Sequence, residues 1–381
     1  MKVLFLSNYY THHQQAFCET LDTLTKHQFT FVETEAFSEE RKQSGWERQA
    51  DVPFVKQYEE LIRSCNDDVM TADVVILGSA PLSIVHERLK ARKLVFLYAE
   101  RVYKNGYQPM KWLPRLYRFW SRYGRHRSMY LLCASAYTAS DYALHGALIG
   151  KSYRWGYFPE MKQYDICQMN ARKKPAKLLW CGRFLDWKHP EVALTIAKRL
   201  KDDGYSFELE LIGNGLMESE LKQRVLEDGL SDCVHFLGPM STDSVRAQME
   251  SAGIFMFTSD FHEGWGAVLN EAMNSGCAVV ASHAIGSVPF LLKHRENGLI
   301  YHSGNTDELY RHVKFLLEYP EQQRQLGTKA YQTIHQMWNA KNAAERFLRL
   351  VEQIQCSGRC DLYDEGPCSR APVIWNNWFK G

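Results

Sequence analysis

Ser259-Asp260-Phe261-His262-Glu263-Gly264-Trp265-Gly266-Ala267-Val268-Leu269-Asn270-Glu271-Ala272-Met273-Asn274-Ser275-Gly276-Cys277-Ala278-Val279-Val280-Ala281 is the stretch from which the rest of the chain can be read. Just upstream, Gly253-Ile254-Phe255-Met256-Phe257 is a continuous apolar run, the pattern of a strand buried on both faces. Gly264 and Gly266 permit a tight turn into a short helix beginning near Gly266, which Gly276 closes before the second apolar strand. The start of a helix presents unpaired N–H groups and favours anions. Glu263 falls just before that start and Glu271 about one and a half turns into the helix. Carboxylates there repel phosphate but accept hydrogen bonds from hydroxyls. A ligand that satisfies both kinds of group carries phosphates and sugar hydroxyls together, as a nucleotide-sugar does.

Working outward, the length of 381 residues exceeds one compact core and suits two domains. Apolar residues make up 45% and charged residues 24%, an ordinary globular balance, and a formal charge of +2 gives no support to nucleic-acid binding. No run of eighteen apolar residues occurs, and Met1-Lys2-Val3-Leu4-Phe5-Leu6-Ser7 is too short for a signal peptide, so it is read as the first strand. The ten cysteines are scattered without a CxxC pair, as expected of reduced thiols in a cytoplasmic protein. Cys356, Cys360 and Cys368 cluster, but no fourth ligand stands at suitable spacing, so plain thiols are preferred to a metal site there.

Strands and helices alternate twice over. The first half places strands near Val3–Leu6, Phe29–Val32, Val74–Leu77, Leu94–Tyr98, Met129–Cys133 and Ser152–Trp155. The second places them near Leu178–Cys181, Phe207–Ile212, Val234–Leu237, Ile254–Phe257, Ala278–Ala281 and Leu299–Tyr301. This predicts an α/β fold of two Rossmann-like domains, 1–158 and 159–350, with Phe158 to Ala176 as the linker and ligands at the carboxyl ends of the strands. Leu178-Leu179-Trp180-Cys181-Gly182-Arg183-Phe184-Leu185-Asp186-Trp187-Lys188 runs from a strand into a loop with two cations at the sheet edge. Alone, Arg183 and Lys188 read as solvated surface charges; with the glutamates they read as diphosphate ligands. Gly213-Asn214-Gly215 after the next strand fits either a loop close to a nucleotide or a simple turn. His235 is read as a strand residue.

The block from buried strand through Glu-Gly-aromatic-Gly turn, small-residue helix and Gly276 resembles the donor-site signature of the retaining GT-B glycosyltransferases, specifically family 4 (glycosyl transferases group 1). The resemblance covers roughly residues 175–350, with weaker support before. It implies two Rossmann-like domains facing each other across a cleft, the first (1–158) binding acceptor and the second (159–350) the donor, with a final segment (351–381) whose helix crosses back to the first domain. It further implies that Glu271 hydrogen-bonds the ribose hydroxyls and Glu263 the transferred sugar. Arg183 and Lys188 would neutralise the leaving diphosphate, and Gly264 with the backbone N–H groups of Gly266, Ala267 and Val268 would cradle it, Gly213 and Asn214 lying close by. On this reading the helix start and the two cations supply the positive charge, so neither metal nor other cofactor is expected. Asp67-Asp68 and Asp202-Asp203 do not form a strand-end Asp-x-Asp.

The first strand ends in Ser7-Asn8-Tyr9-Tyr10-Thr11-His12-His13-Gln14, where many relatives carry a Gly-Gly pair. His12 or His13 is read either as a donor to phosphate or acceptor, or as a solvent-facing pair. Glu100, in Ala99-Glu100-Arg101, stands where many relatives carry a histidine and would orient a hydroxyl; Ser79 also points to this edge. Residues 101–128 hold Arg101, Lys104, Lys111, Arg115, Arg118, Arg122, Arg125 and Arg127 with no acidic residue, interleaved with Trp112, Tyr117, Phe119, Trp120 and Tyr123, and Arg115, Arg118, Arg122 and Arg125 recur at helical spacing on one face. Two readings stand: a face resting on the anionic inner surface of the membrane beside a lipid-linked acceptor, or a basic solvated helix face with its aromatics in the core.

The leading expectation is a retaining transfer of a sugar from a nucleotide diphosphate, UDP-hexose favoured and GDP-mannose next, to a hydroxyl of a glycan or lipid-linked acceptor. A sugar-nucleotide epimerase of the same fold and a non-catalytic binding module are the rivals. A dinucleotide oxidoreductase is weaker, because no G-x-G-x-x-G follows the first strand.

Overall fold

The computed structural model describes residues 1–35, 52–57, 65–104, 106, 117–358 and 361–381. It divides into two compact units, Met1–Glu160 with Trp338–Trp375, and Met161–Met337 with Asn376–Gly381.

The first unit is built on a seven-stranded sheet. In chain order its strands are β1 (Val3–Ser7), β2 (Phe29–Glu33), β3 (Val55–Gln57), β4 (Val74–Leu77), β5 (Val95–Ala99), β6 (Met129–Cys133) and β7 (Ser152–Arg154), arranged β3-β2-β1-β4-β5-β6-β7. All pairings are parallel. β1, β4 and β6 are buried along their whole length, as unbroken apolar runs require of strands covered on both faces. β3 is missing from the sequence reading for a physical reason: it is a three-residue, partly exposed edge strand without an apolar run.

The second unit carries a six-stranded parallel sheet. Its strands are β8 (Lys174–Cys181), β9 (Glu208–Ile212), β10 (Val234–Gly238), β11 (Ala252–Phe257), β12 (Ala278–Ser282) and β13 (Leu299–Tyr301), in the order β10-β9-β8-β11-β12-β13. The strand order reverses between β8 and β11, which pair with Leu178 opposite Ile254 and Leu179 opposite Phe255. Their carboxyl ends are therefore the switch point where a doubly wound sheet opens a binding crevice. The expected linker is not bare chain. It contains the helix Ile166–Arg172, N-capped by the Asp165 carboxylate, which accepts from Gln168 N–H at 2.9 Å, and the start of β8.

Trp338–Trp375 groups with Met1–Glu160. Helix Ala340–Ser357 packs on helix His12–Leu24, and the Phe347 ring sits 5.1 Å from Phe96, 6.0 Å from Trp155 and 6.5 Å from Phe17. Beyond it the chain runs along the free edge of β7, where Arg154 N–H donates to Ser369 O and Ala371 N–H to Ser152 O. That covering removes an exposed strand edge. Cys368 is fully buried there and Cys356 exposed, while Cys360 lies outside the described residues. The last six residues, Asn376–Gly381, group with Met161–Met337 in the second unit.

Candidate active site

Two loops meet at the switch point of the second sheet. Thr258, just past β11, accepts from Trp180 Nε1 at 2.8 Å through its hydroxyl, which in turn donates to Lys188 O at 2.7 Å and approaches His189 O at 3.0 Å. Asp260 N–H donates to Trp187 O at 3.0 Å, and the Asp260 carboxylate accepts from His262 N–H and bonds the His262 and His189 rings. These bonds draw Lys188 onto Glu263. The ammonium donates to Glu263 Oε2 at 2.5 Å, and Ser259 Oγ donates to the same oxygen at 3.0 Å. Both side chains of the pair are largely buried, 13% and 10% exposed. Lys188 also lies 4.6 Å from the centroid of the Trp187 ring. An ammonium has three donors, and Glu263 uses one. The same geometry raises His189 above the usual imidazole range, through its hydrogen bond to Glu191 and then the Asp260 charge, against the opposing effect of burial.

The helix begins at Val268, two residues later than the sequence suggests, so Glu271 falls in its first turn. Gly266 takes φ +79°, and a Cβ there would lie 2.4 Å from the Phe257 ring, so both the turn and the close packing require glycine. Trp265 is fully buried and donates from Nε1 to Asn270 Oδ1 at 2.9 Å, fixing the loop to the helix. Arg246 holds the other end, donating to Asn274 Oδ1 at 2.9 Å and Glu271 O at 3.2 Å. Burial pushes the Glu271 carboxyl above the ordinary carboxylate range, the Arg246 charge offsetting this in part. Burial pushes the thiol of Cys181, at the end of β8, above its ordinary range, the Glu271 charge adding to the rise and the Lys188 charge opposing it. Arg183 is exposed on the adjoining loop and makes no ion pair among the described residues.

Gly213 and Asn214 have a structural explanation that periodicity misses. Phe184 N–H donates to Asn214 O at 2.7 Å, and a Cβ on Gly213 would lie 1.9 Å from Gly182 O. The glycines let the β9 loop lie directly against the β8 loop that carries Arg183 and Lys188. Ser259, Asp260 and Trp187 were not singled out in the sequence; Ser259 bonds Glu263 within its own loop, while Asp260 and Trp187 join the two loops, a pairing that leaves no periodic trace.

In the first unit, the structure brings His12 and Glu100 into one cluster. His12 and His13 rings are 3.9 Å apart, His13 stacks on Tyr157 at 5.6 Å, and Tyr157 Oη donates to Glu100 Oε1 at 2.8 Å. Lys104 Nζ donates to Glu100 Oε2 at 2.9 Å. Burial lowers His12 below the usual imidazole range, favouring a neutral ring. Ser79 is exposed and its N–H approaches Ser7 Oγ at 3.3 Å. Tyr157 and Lys104 are members that the sequence reading missed as partners of Glu100. In the basic segment, Lys111, Trp112 and Arg115 lie outside the described residues. Tyr117 is 72% and Trp120 41% exposed, Arg118, Arg122, Arg125 and Arg127 are exposed, and a π-helical turn at Trp120–Gly124 breaks the single helical period expected of the arginines. The aromatics are thus not all in the core. Among the described residues no group of three or more His, Cys, Asp or Glu is placed to hold a metal ion, and no helix is long and apolar enough to cross a membrane.

Residues 163–333 match the family model of glycosyl transferases group 1. The match spans β8 to β13 and every candidate site residue of the second unit named above. Among curated proteins the chain is similar to the amylovoran biosynthesis glycosyltransferase AmsK of Erwinia amylovora, 30% identical over 161 residues, 41% of this chain and 39% of AmsK. It is also similar to the putative colanic acid biosynthesis glycosyltransferase WcaL of Escherichia coli, 26% identical over 144 residues, 36% of this chain and 35% of WcaL. The alignments thus span between a third and two fifths of these relatives' length. Among solved structures, Anabaena HepE in complex with UDP superposes with a TM-score of 0.68 over 93% of this chain and 100% of that one, at 16% identity. That likeness is one of fold, and the two parallel-sheet α/β units have the GT-B fold.

Proposed function

We propose that the chain is a retaining glycosyltransferase that moves a sugar from a nucleotide diphosphate, a UDP-hexose, to a hydroxyl of a glycan or lipid-linked acceptor, without a metal. One observation carries the reading: a buried Lys188–Glu263 pair stands with Glu271 at the first turn of a helix on the switch point of the second sheet. Lys188 has two donors left for a diphosphate, Arg183 adds a guanidinium fork, and the peptide N–H groups of Ala267 and Val268 open the helix. Together they meet the negative charge that builds on a departing nucleoside diphosphate. Glu263 and Glu271 accept from sugar and ribose hydroxyls. The family match over this half of the chain and the UDP bound to HepE support a uridine donor; the AmsK and WcaL names support a polysaccharide product. Retention follows the resemblance of the motif. The His12–Tyr157–Glu100 cluster is assigned to the acceptor side, and the exposed aromatic and basic ridge from Tyr117 to Arg127 to an anionic membrane surface carrying the acceptor.

Thermal unfolding with UDP, GDP, ADP and their sugars tests the donor site. A ligand at one hundred times its dissociation constant adds about 2.7 kcal/mol of stability. UDP and a UDP-hexose are expected to raise the midpoint of the intact chain and not that of Glu271→Ala; equal response of the two overturns the site. Incubating the donor alone and finding an isomerised sugar would favour the epimerase instead.

A further inference from the structure

The last six residues leave the company of Trp338–Trp375 and settle on the second unit. Their anchor is a group of imidazoles. The Phe379 ring, 9% exposed, lies 5.0 Å from His302, 5.3 Å from His294 and 6.4 Å from His283. Trp378 Nε1 donates to His283 O at 3.2 Å. His283 Nε2 bonds Asn376 O at 3.0 Å, and His283 Nδ1 accepts from Ser303 N–H at 2.9 Å. A carbonyl on one nitrogen and an N–H on the other fix the tautomer: Nε2 carries the proton and the ring is neutral.

His283 does more than receive the tail. Its ring meets Phe261 edge-on at 5.5 Å, and Phe261 stands two residues before Glu263. Three residues beyond His283, Gly286 N–H donates to Glu263 O at 3.3 Å. The contacts run without a gap, inside one unit, from Phe379 through His283 and Phe261 to the loop that carries the donor-site carboxylate.

We infer that Trp378 and Phe379, seated on His283, are positioning residues for the Glu263 loop, so that docking of the last six residues sets the affinity of the nucleotide site. The inference rests on the reading of that site as one for a nucleotide-sugar. The segment suits such a role because it enters the surface at Trp378 and Phe379, while Asn376, Asn377 and Lys380 are exposed, as is Trp375 just before them.

The test compares the intact chain with one ending at Trp375 and with Phe379→Ala, Phe379→Tyr and Trp378→Phe. UDP affinity is read by calorimetry, and amide hydrogen exchange is followed over residues 259–266. Truncation and Phe379→Ala are expected to weaken UDP about tenfold, within the usual range of coupling between sites. They should also speed exchange at Phe261 to Gly266 while β11 and β12 keep their protection. Phe379→Tyr keeps the ring and restores both, and Trp378→Phe, losing one hydrogen bond, falls between. Unchanged UDP affinity with unchanged loop exchange overturns the inference. If truncation prevents folding, the point variants decide. If the intact chain binds no UDP, the site reading fails, and exchange in the loop still decides whether the tail holds it.

Discussion

At the scale of residues, Lys188 and Glu263 place two opposite charges where water barely reaches. Breaking such a pair leaves one charge buried and alone, which costs about 3–5 kcal/mol, whereas removing both members costs far less. Lys188→Met is therefore expected to destabilise the second unit by an amount in that range, and Lys188→Met with Glu263→Gln to recover most of it. Denaturant unfolding of the two single variants and the double checks this; additive losses would mean the two side chains do not depend on one another. Glu271 gives a second expectation. Burial holds its proton more tightly than in the unfolded chain, so ionising it costs stability as pH rises through and above the ordinary carboxylate range. On the proposed reading, ribose hydroxyls donating to the carboxylate would reverse that preference and lower its pKa, so that binding would expel the proton that burial retains. UDP affinity should rise with pH across this acid range and then level off, and Glu271→Gln should flatten the profile. A wild-type profile that is already flat would separate Glu271 from the ribose.

At the scale of elements, Gly213 is expected to be irreplaceable. Its φ of +129° and the Gly182 carbonyl 1.9 Å from an added Cβ leave no room, so Gly213→Ala must part the β8 and β9 loops. A loss of about 2 kcal/mol or more is expected from crowding and backbone strain together, and weaker UDP binding with it, because Arg183 and Lys188 ride on the displaced loop. A thermal midpoint and UDP affinity matching the unsubstituted chain would refute the account. The contrast with what the sequence made legible is physical. Apolar runs such as Ile254–Phe257 and Val74–Leu77 announced their strands because burial on both faces leaves nothing polar in the run. The glutamates, the helix and its glycines were legible because turn geometry and capping are local. β3 was not, being short and at an edge, nor were Asp260 and Tyr157, whose partners His189 and Glu100 are distant in sequence. The arginine stripe was half read: exposure is as expected of a basic face, but a π-helical turn alters its phase.

At the scale of the whole molecule, a formal charge of +2 hides a local imbalance, since Arg118, Arg122, Arg125 and Arg127 are exposed beside Tyr117 and Trp120. Flotation with phosphatidylglycerol vesicles is expected to carry the chain at low salt and much less at high salt, with little binding to phosphatidylcholine. Arg118→Glu with Arg122→Glu should abolish flotation, and Trp120→Ala should weaken it at both salt concentrations. No flotation under any condition would remove the membrane from the picture. The order of the chain carries a further consequence, for synthesis. Phe17, Phe96 and Trp155 are translated early, but Phe347, which covers them, follows only after Met161–Met337. At about 5–20 residues per second, the ribosome leaves that aromatic face open for on the order of ten to thirty-five seconds. For as long as its last long helix is still unmade, the nascent chain presents apolar surface of the kind that favours aggregation and that chaperones cover.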